Sequence, residues 1–155
     1  MNFDQAFSVL MQHEGGLVDD PNDPGGLTRY GISHRAYPAL DIRNLTLDQA
    51  AAIYRRDYWG PAGCEAVPDA LRMDLFDMAV NSGVRTAAKC LQRAVGETED
   101  GAIGPATLQA IQSMPVARLL ARFNGERLDF LASLPAWEHF SKGWARRIAS
   151  NLRAV

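Results

Sequence analysis

The chain has 155 residues, of which 47% are hydrophobic and 22% charged, a composition typical of one soluble globular domain. Sixteen Lys and Arg residues against 18 Asp and Glu residues give a formal net charge of -2, which excludes a generally basic nucleic-acid-binding protein. The sequence has no run of about 20 apolar residues that would cross a membrane. Cys64 and Cys90 lack metal-site spacing and are interpreted as free thiols.

The chain begins with a predicted helix followed by an irregular segment. Four residues at helical spacing define one face of this helix: Phe3, Phe7, Leu10 and Glu14. A glycine pair ends it. Residues 17–34 are rich in Pro, Gly, Asp and Asn, which is typical of turns, and short strands fit around residues 27–32. The N-terminus carries no early Lys or Arg, so we do not expect a secretory signal.

The rest of the chain predicts helices separated by Gly and Pro. Thr46 and Gln49 form a capping-box pattern ahead of a helix from about Leu47 to Tyr58. The later helices are bounded by five residues: Pro68, Gly83, Gly96, Pro105 and Pro115. The last helix is amphipathic, and its basic residues are interpreted as a solvated face: Lys142, Arg146, Arg147 and Arg153.

These elements predict an α+β domain that is predominantly helical, with a small irregular or β lobe near the N-terminus. We expect a single domain over residues 1–155. Residues 1–66 form the half that carries the candidate motif, and residues 67–155 form a helical half.

Glu14 is the strongest catalytic candidate. It falls on the apolar face of the first helix, at its C-terminal end, where desolvation and the helix dipole both favour the protonated carboxyl. A carboxyl that stays protonated near neutral pH suits a general acid. The alternative is a glutamate that turns to solvent or pairs with an arginine.

The segment after Glu14 strengthens the catalytic interpretation. It places polar side chains five, six, nine and fourteen residues further on: Asp19, Asp20, Asp23 and Thr28. Two carboxyl groups on separate supports can flank a glycosidic bond, one protonating the leaving oxygen while the other directs a water. Because the acidic run lacks the closing Glu of a calcium loop, and its glycines lack the Lys of a phosphate loop, we expect no metal and no cofactor.

The segment HEGGLVDDPNDPGGLTRYGIS, residues 13–33, resembles the signature of the phage and bacterial N-acetylmuramidases of glycoside hydrolase family 108. That signature runs E-G-G, D-P-x-D-P-G-G-x-T and then G-I. Residues 45–59 and 76–96 resemble later parts of the family. Residues 100–111, DGAIGPATLQAI, resemble its peptidoglycan-binding segment. The resemblance covers roughly residues 1–150.

This resemblance implies a lysozyme-like fold and cleavage of the β-1,4 bond between N-acetylmuramic acid and N-acetylglucosamine. Glu14 matches the catalytic glutamate of the family. A similarity to phage lysozymes assigns Asp23 and Thr28 to the attacking water. Asp20 also matches the motif and stays the alternative to Asp23.

Four further residues are expected to bind substrate. Asn81 sits at a helix end, where an amide can bond an N-acetyl group or a sugar hydroxyl, or cap the helix. Asp77 lies one turn earlier and shares that face, while Tyr30 and His34 are expected to line the cleft. The tryptophans are expected to pack in the core, with stacking on sugars as the alternative: Trp59, Trp137 and Trp144.

Two other functions stay open at this point. A lytic transglycosylase would use one glutamate and release a 1,6-anhydro sugar, whereas a peptidoglycan-binding module would not cleave at all. The expected partner is bacterial peptidoglycan, without nucleic acid or membrane insertion, and the expected state is a monomer. We expect an endolysin made in the host cytoplasm that reaches the wall after release by a holin.

Overall fold

The computed structural model describes residues 1–13 and 26–153. In these ranges seven α-helices accompany one two-stranded sheet. The helices are α1 (Phe3–His13), α2 (Leu47–Tyr54), α3 (Asp69–Ser82), α4 (Val84–Val95), α5 (Pro105–Gln112), α6 (Val116–Ala132) and α7 (Trp137–Arg153). The strands are β1 (Thr28–Arg29) and β2 (Ile32–Ser33). The predicted helical α+β class is confirmed, and no helix of this part of the chain is long and apolar enough to cross a membrane.

The chain divides into two compact units. The N-terminal unit is Asn2–Asp57, and the C-terminal unit is Tyr58–Val155 together with Met1. The two halves expected from the sequence meet after residue 66, nine residues beyond this division.

Helices α1 and α2 form the core of the N-terminal unit. Phe3, Phe7 and Leu10 of the predicted α1 face are all buried, and the ring of Phe7 lies 5.6 Å from that of Tyr54. The capping box at the start of α2 is present as predicted. Beyond Tyr54 the helical path continues as a wider π turn, Arg55–Trp59, so it extends as far as the sequence predicted.

The sheet is a tight hairpin. Its antiparallel strands pair Thr28 with Ser33 and Arg29 with Ile32. The two turn residues, Tyr30 and Gly31, have φ angles of 52° and 74°, as a two-residue turn between right-twisted strands requires. The predicted strands around residues 27–32 are therefore confirmed.

Helix α3 lies at the centre of the C-terminal unit and packs against α4, α6 and α7. Gly83 and Gly96 end α3 and α4 with φ angles of 90° and 81°. These backbone angles favour glycine, which explains why the sequence marks both ends correctly.

Aromatic and thiol groups divide between core and surface. Trp59 is buried and meets Phe76 edge-on at 5.4 Å, as expected, and Cys64 and Cys90 are buried free thiols. Trp137 and Trp144 are instead half-buried. Their rings lie 6.1 Å apart, so the expected core position is confirmed for Trp59 alone.

Candidate active site

The predicted catalytic carboxylates lie outside the described residues. Glu14, Asp19, Asp20 and Asp23 all belong to residues 14–25. Glu14 directly follows α1, and the described chain resumes at Gly26, two residues before β1. The described candidate residues are therefore those of the hairpin, in the N-terminal unit, and those of α3, in the C-terminal unit.

Thr28 is held at the base of the hairpin. Its side chain is half-buried, and its hydroxyl donates to the carbonyl oxygen of Gly26 at 3.2 Å. A hydroxyl has one proton and two acceptor sites. Because the proton is committed to Gly26, the lone pairs of Thr28 are suited to accept a hydrogen bond from a water.

The backbone of Tyr30 is held in a conformation that residues other than glycine rarely adopt. A positive φ outside glycine is uncommon and is maintained by surrounding contacts. The hydroxyl of Tyr54, from α2, donates to the carbonyl oxygen of Tyr30 at 3.0 Å, and the Arg29 guanidinium lies 5.3 Å from the centre of the Tyr30 ring. Tyr54 therefore positions the hairpin, a role that its helical spacing did not reveal.

His34 follows the second strand and is exposed. Its backbone N–H donates to the carbonyl oxygen of Leu27 at 2.8 Å, which extends the hairpin pairing by one step. Tyr30, Thr28 and His34 are thus brought together on one small element. Their contact with substrate stays a prediction.

Asp77 is fully buried in α3. Its carboxylate accepts from Arg127, from Nε of Arg147 at 2.6 Å and from Asn151 at 3.2 Å. Burial alone would raise the pKa of Asp77, but the guanidinium groups of Arg127 and Arg147 outweigh it and hold that pKa below its usual range. The expectation that Asp77 contacts substrate is corrected, since a carboxylate without exposed surface positions its neighbours instead.

Asn81 is exposed at the end of α3. Its amide Nδ2 donates to the backbone oxygen of Asp77 at 2.7 Å and to Oδ1 of Asp77 at 3.2 Å. These bonds fix which way the amide faces. Among the described residues, no donor reaches Oδ1 of Asn81, so this oxygen is available to accept from a ligand.

A cavity of about 320 Å³ lies next to Asn81 in the C-terminal unit. Arg127, Trp144 and Arg147 line it together with Asn81. Sequence reasoning assigned Arg147 to a solvated face and Trp144 to the core, and both assignments are wrong. Asp77, a charged residue in the apolar run of α3, was the signal that a buried cation must approach this helix.

Two family models match consecutive parts of the chain. A glycosyl hydrolase 108 model matches residues 7–83, and a model described as a predicted peptidoglycan domain matches residues 86–149. The structure of Brucella abortus SagA is similar, with a TM-score of 0.86 and 34% sequence identity over 96% of this chain and 90% of that chain. The chain belongs to the glycosyl hydrolase 108 family. A comparison with curated proteins finds no match.

Membership of this family makes the chain a peptidoglycan hydrolase of the N-acetylmuramidase type, and it confirms the predicted lysozyme-like fold. The two matched segments adjoin at the start of α4. Asn81 lies in the hydrolase match, whereas Trp144 and Arg147 lie in the peptidoglycan match. The cavity beside Asn81 is therefore lined by residues of both matched segments.

Proposed function

We propose that this peptidoglycan hydrolase is a bacteriolytic muramidase of the phage endolysin type, with Glu14 as general acid and Asp23 and Thr28 as the residues that hold the attacking water. The match of residues 7–83 to the glycosyl hydrolase 108 model carries this proposal. That segment contains all three residues at the spacing of the motif.

The proposed reaction breaks one glycosidic bond with one water. Glu14 gives its proton to the oxygen that links the two sugars, and the anomeric carbon–oxygen bond breaks. The water held by Asp23 and Thr28 bonds to the anomeric carbon and passes a proton to Asp23. The hydrogen bond from Thr28 to Gly26 supports this role, because it uses the hydroxyl proton and leaves the lone pairs of Thr28 to accept from a water.

The substrate-binding part of the proposal assigns Asn81 directly and Asp77 indirectly. Asp77 anchors the amide of Asn81, which leaves the oxygen of that amide for a sugar N–H or hydroxyl. Tyr30 and His34, on the hairpin, are assigned to the wall of the cleft.

Mass spectrometry of digested peptidoglycan tests the reaction. Purified wall is digested, the products are reduced with borohydride, and the new ends are identified. Reduced N-acetylmuramic acid ends support a muramidase, whereas 1,6-anhydro ends would show a lytic transglycosylase and reduced N-acetylglucosamine ends a glucosaminidase. The Glu14→Gln variant is the control, and wall that is bound but uncut by the wild type would show a binding module.

Lysis, delivery and oligomeric state need separate measurements. We propose that the chain acts as a 17.0 kDa monomer that is released to the wall by a holin. Light scattering after size exclusion measures the mass in solution. Expression with and without a holin, followed by culture turbidity, tests delivery, since lysis without the holin would contradict the proposed route.

A further inference from the structure

We propose that the cavity beside Asn81 is an acetamido pocket, which binds the N-acetyl group of one hexosamine unit of the glycan through Asn81, Trp144 and Arg147. The proposal rests on the proposed function, because the ligand is a sugar of the same substrate. The cavity of about 320 Å³ lies at the end of α3 against α6 and α7, at the lower end of the range of ligand pockets, roughly 300–1,000 Å³.

Asn81 and Arg147 share one anchor. Nδ2 of Asn81 and Nε of Arg147 lie 3.2 and 2.6 Å from the same oxygen, Oδ1 of Asp77. Asp77 is fully buried, and its other oxygen, Oδ2, accepts from Arg127 and Asn151. The two side chains at the cavity are therefore fixed side by side by a carboxylate that does not itself reach the ligand.

This anchoring leaves one acceptor and one donor for a ligand. Arg147 donates a hydrogen bond to Oδ1 of Asp77 through Nε, and its buried Nη2 lies 2.6 Å from the same oxygen as an ion pair. Within residues 1–13 and 26–153 nothing pairs with its Nη1. The side chain of Arg147 is 19% exposed. The free oxygen of Asn81 accepts, and Nη1 of Arg147 donates. An acetamido group presents the complement, one N–H and one C=O.

The remaining walls suit a methyl group and a sugar face. Leu131 and Leu134 are apolar lining residues, and the indole of Trp144 supplies a flat surface. The ring of Trp144 is supported by Phe140 at 5.9 Å and by Trp137 at 6.1 Å. Ser82 and Arg127 also line the cavity. The cavity thus combines an apolar platform with a few polar groups, as in sugar-sized ligand pockets.

Gly143 is a lining residue of this cavity that has no side chain. It lies inside α7, where glycine is less favourable than alanine, yet it lines the cavity, and a Cβ placed on it would meet no atom within 4 Å. Because Gly143 lines the cavity and the space around an added Cβ is empty, we expect a large side chain at this position to extend into the space assigned to the ligand. Gly125 of α6 also has open space around an added Cβ but does not line the cavity, so it is the matched control.

Binding of two tetrasaccharides tests the pocket in the Glu14→Gln background, where the sugar is not cut. The β-1,4 tetramer of N-acetylglucosamine is compared by calorimetry with the β-1,4 tetramer of glucose, which lacks the acetamido groups. We expect the acetylated tetramer to bind at least about tenfold more tightly, a ratio that one or two net hydrogen bonds produce. Asn81→Ala and Gly143→Leu should each remove most of this preference, while Gly125→Leu should keep it.

The NMR signal of the Trp144 indole N–H gives a second test. A ligand that contacts the indole shifts this signal, whereas a Trp144 with only a structural role would show no shift. The Trp144→Phe variant identifies the signal by its loss. In the protein that keeps Trp144, this NMR signal should shift as the acetylated tetramer is added and stay in place when the glucose tetramer is added. An unmoved signal, or a preference that survives Gly143→Leu in a folded protein, overturns the pocket. Uncut wall together with a shifted Trp144 signal would instead overturn the proposed hydrolysis and leave the pocket standing.

Discussion

Asp74 and Asp77 lie three residues apart on α3, both buried, and their pKa values shift in opposite directions. Burial raises the pKa of Asp74, and the hydrogen bond from Asn124 at 2.9 Å offsets only part of that effect. Burial also acts on Asp77, but two guanidinium groups bond its carboxylate directly and lower its pKa. Asp77 therefore anchors the ion-pair network, whereas Asp74 takes part in it only through Nη1 of Arg127, at 3.8 Å.

The first prediction compares the stability of two variants in which a buried aspartate is replaced by asparagine. Asp77→Asn removes the carboxylate that neutralises Arg127 and Arg147, and it should lower the free energy of unfolding by about 3–5 kcal/mol, as for a broken buried ion pair. Asp74→Asn should change it by less than about 1 kcal/mol, because burial already disfavours the charge there. Urea unfolding at pH 7 measures both. Equal losses would contradict the assignment of Asp77 as the anchor.

The second prediction concerns the pH dependence of stability. Because the folded-state pKa of Asp77 lies below its unfolded value of about 3.9, its contribution is complete above that pH and is lost as the pH falls through the folded pKa. The raised pKa of Asp74 acts in the opposite sense. Its contribution is present below about pH 3.9 and is lost as the pH rises through the folded pKa.

Melting temperatures from about pH 2 to pH 7 measure these contributions. Asp77→Asn should flatten the fall of stability on the acid side. Asp74→Asn should remove the part of the stability loss that appears as the pH rises through the folded pKa of Asp74. Differences from the parent that stay constant over the whole range would argue against both pKa shifts.

The third prediction concerns Glu14. Glu14→Gln keeps the shape of the side chain but has no proton to donate, so turnover should fall on the order of 10²–10⁴-fold. The melting temperature should stay close to that of the parent. Wall-clearing assays with the exposed Glu138→Gln as control measure the effect. Near-normal clearing by the Glu14 variant would remove it from the catalytic role.

The fourth prediction separates Asp23 from Asp20. Asp23 precedes Pro24-Gly25-Gly26, where the chain can turn sharply, so we expect its carboxylate to hold the water. Asp20 precedes Pro21, and a residue before proline favours extended geometry, which suits a turn-capping role.

Asp23→Asn should therefore abolish most turnover with little change in melting temperature. Asp20→Asn should keep measurable activity and lose about 1 kcal/mol of stability, the usual cost of a lost cap. Turnover and melting of both variants in one buffer decide between the two. The reverse pattern would give the water-holding role to Asp20.

The fifth prediction concerns the thiols. Burial raises the pKa of Cys64 to about 12 and also raises that of Cys90. At pH 8 on the order of one Cys64 side chain in ten thousand is then the reactive thiolate. Ellman's reagent should leave both unlabelled in the folded protein and label both in guanidinium chloride. Rapid labelling under native conditions would show that one of these thiols is accessible.

Sequence alone determined the features that depend on neighbours within one helical turn. The capping box at Thr46 and Gln49, the glycine ends at Gly83 and Gly96, and the buried face of α1 all follow from short-range patterns. Backbone conformation at these positions is set by the residue itself and by residues three or four away. The motif from Glu14 to Ile32 likewise indicated the family that the comparisons show.

Tertiary structure alone decided what Asp77, Arg147 and Trp144 do. Asp77 meets Arg127 and Arg147 across separations of 50 and 70 residues, so no local pattern links them. From its own helix Asp77 was expected to share the substrate-binding face of Asn81, and Arg147 was one of several cations on α7. A buried carboxylate is stable only with cations bonded to it, and the packing of α6 and α7 against α3 brings those cations into place.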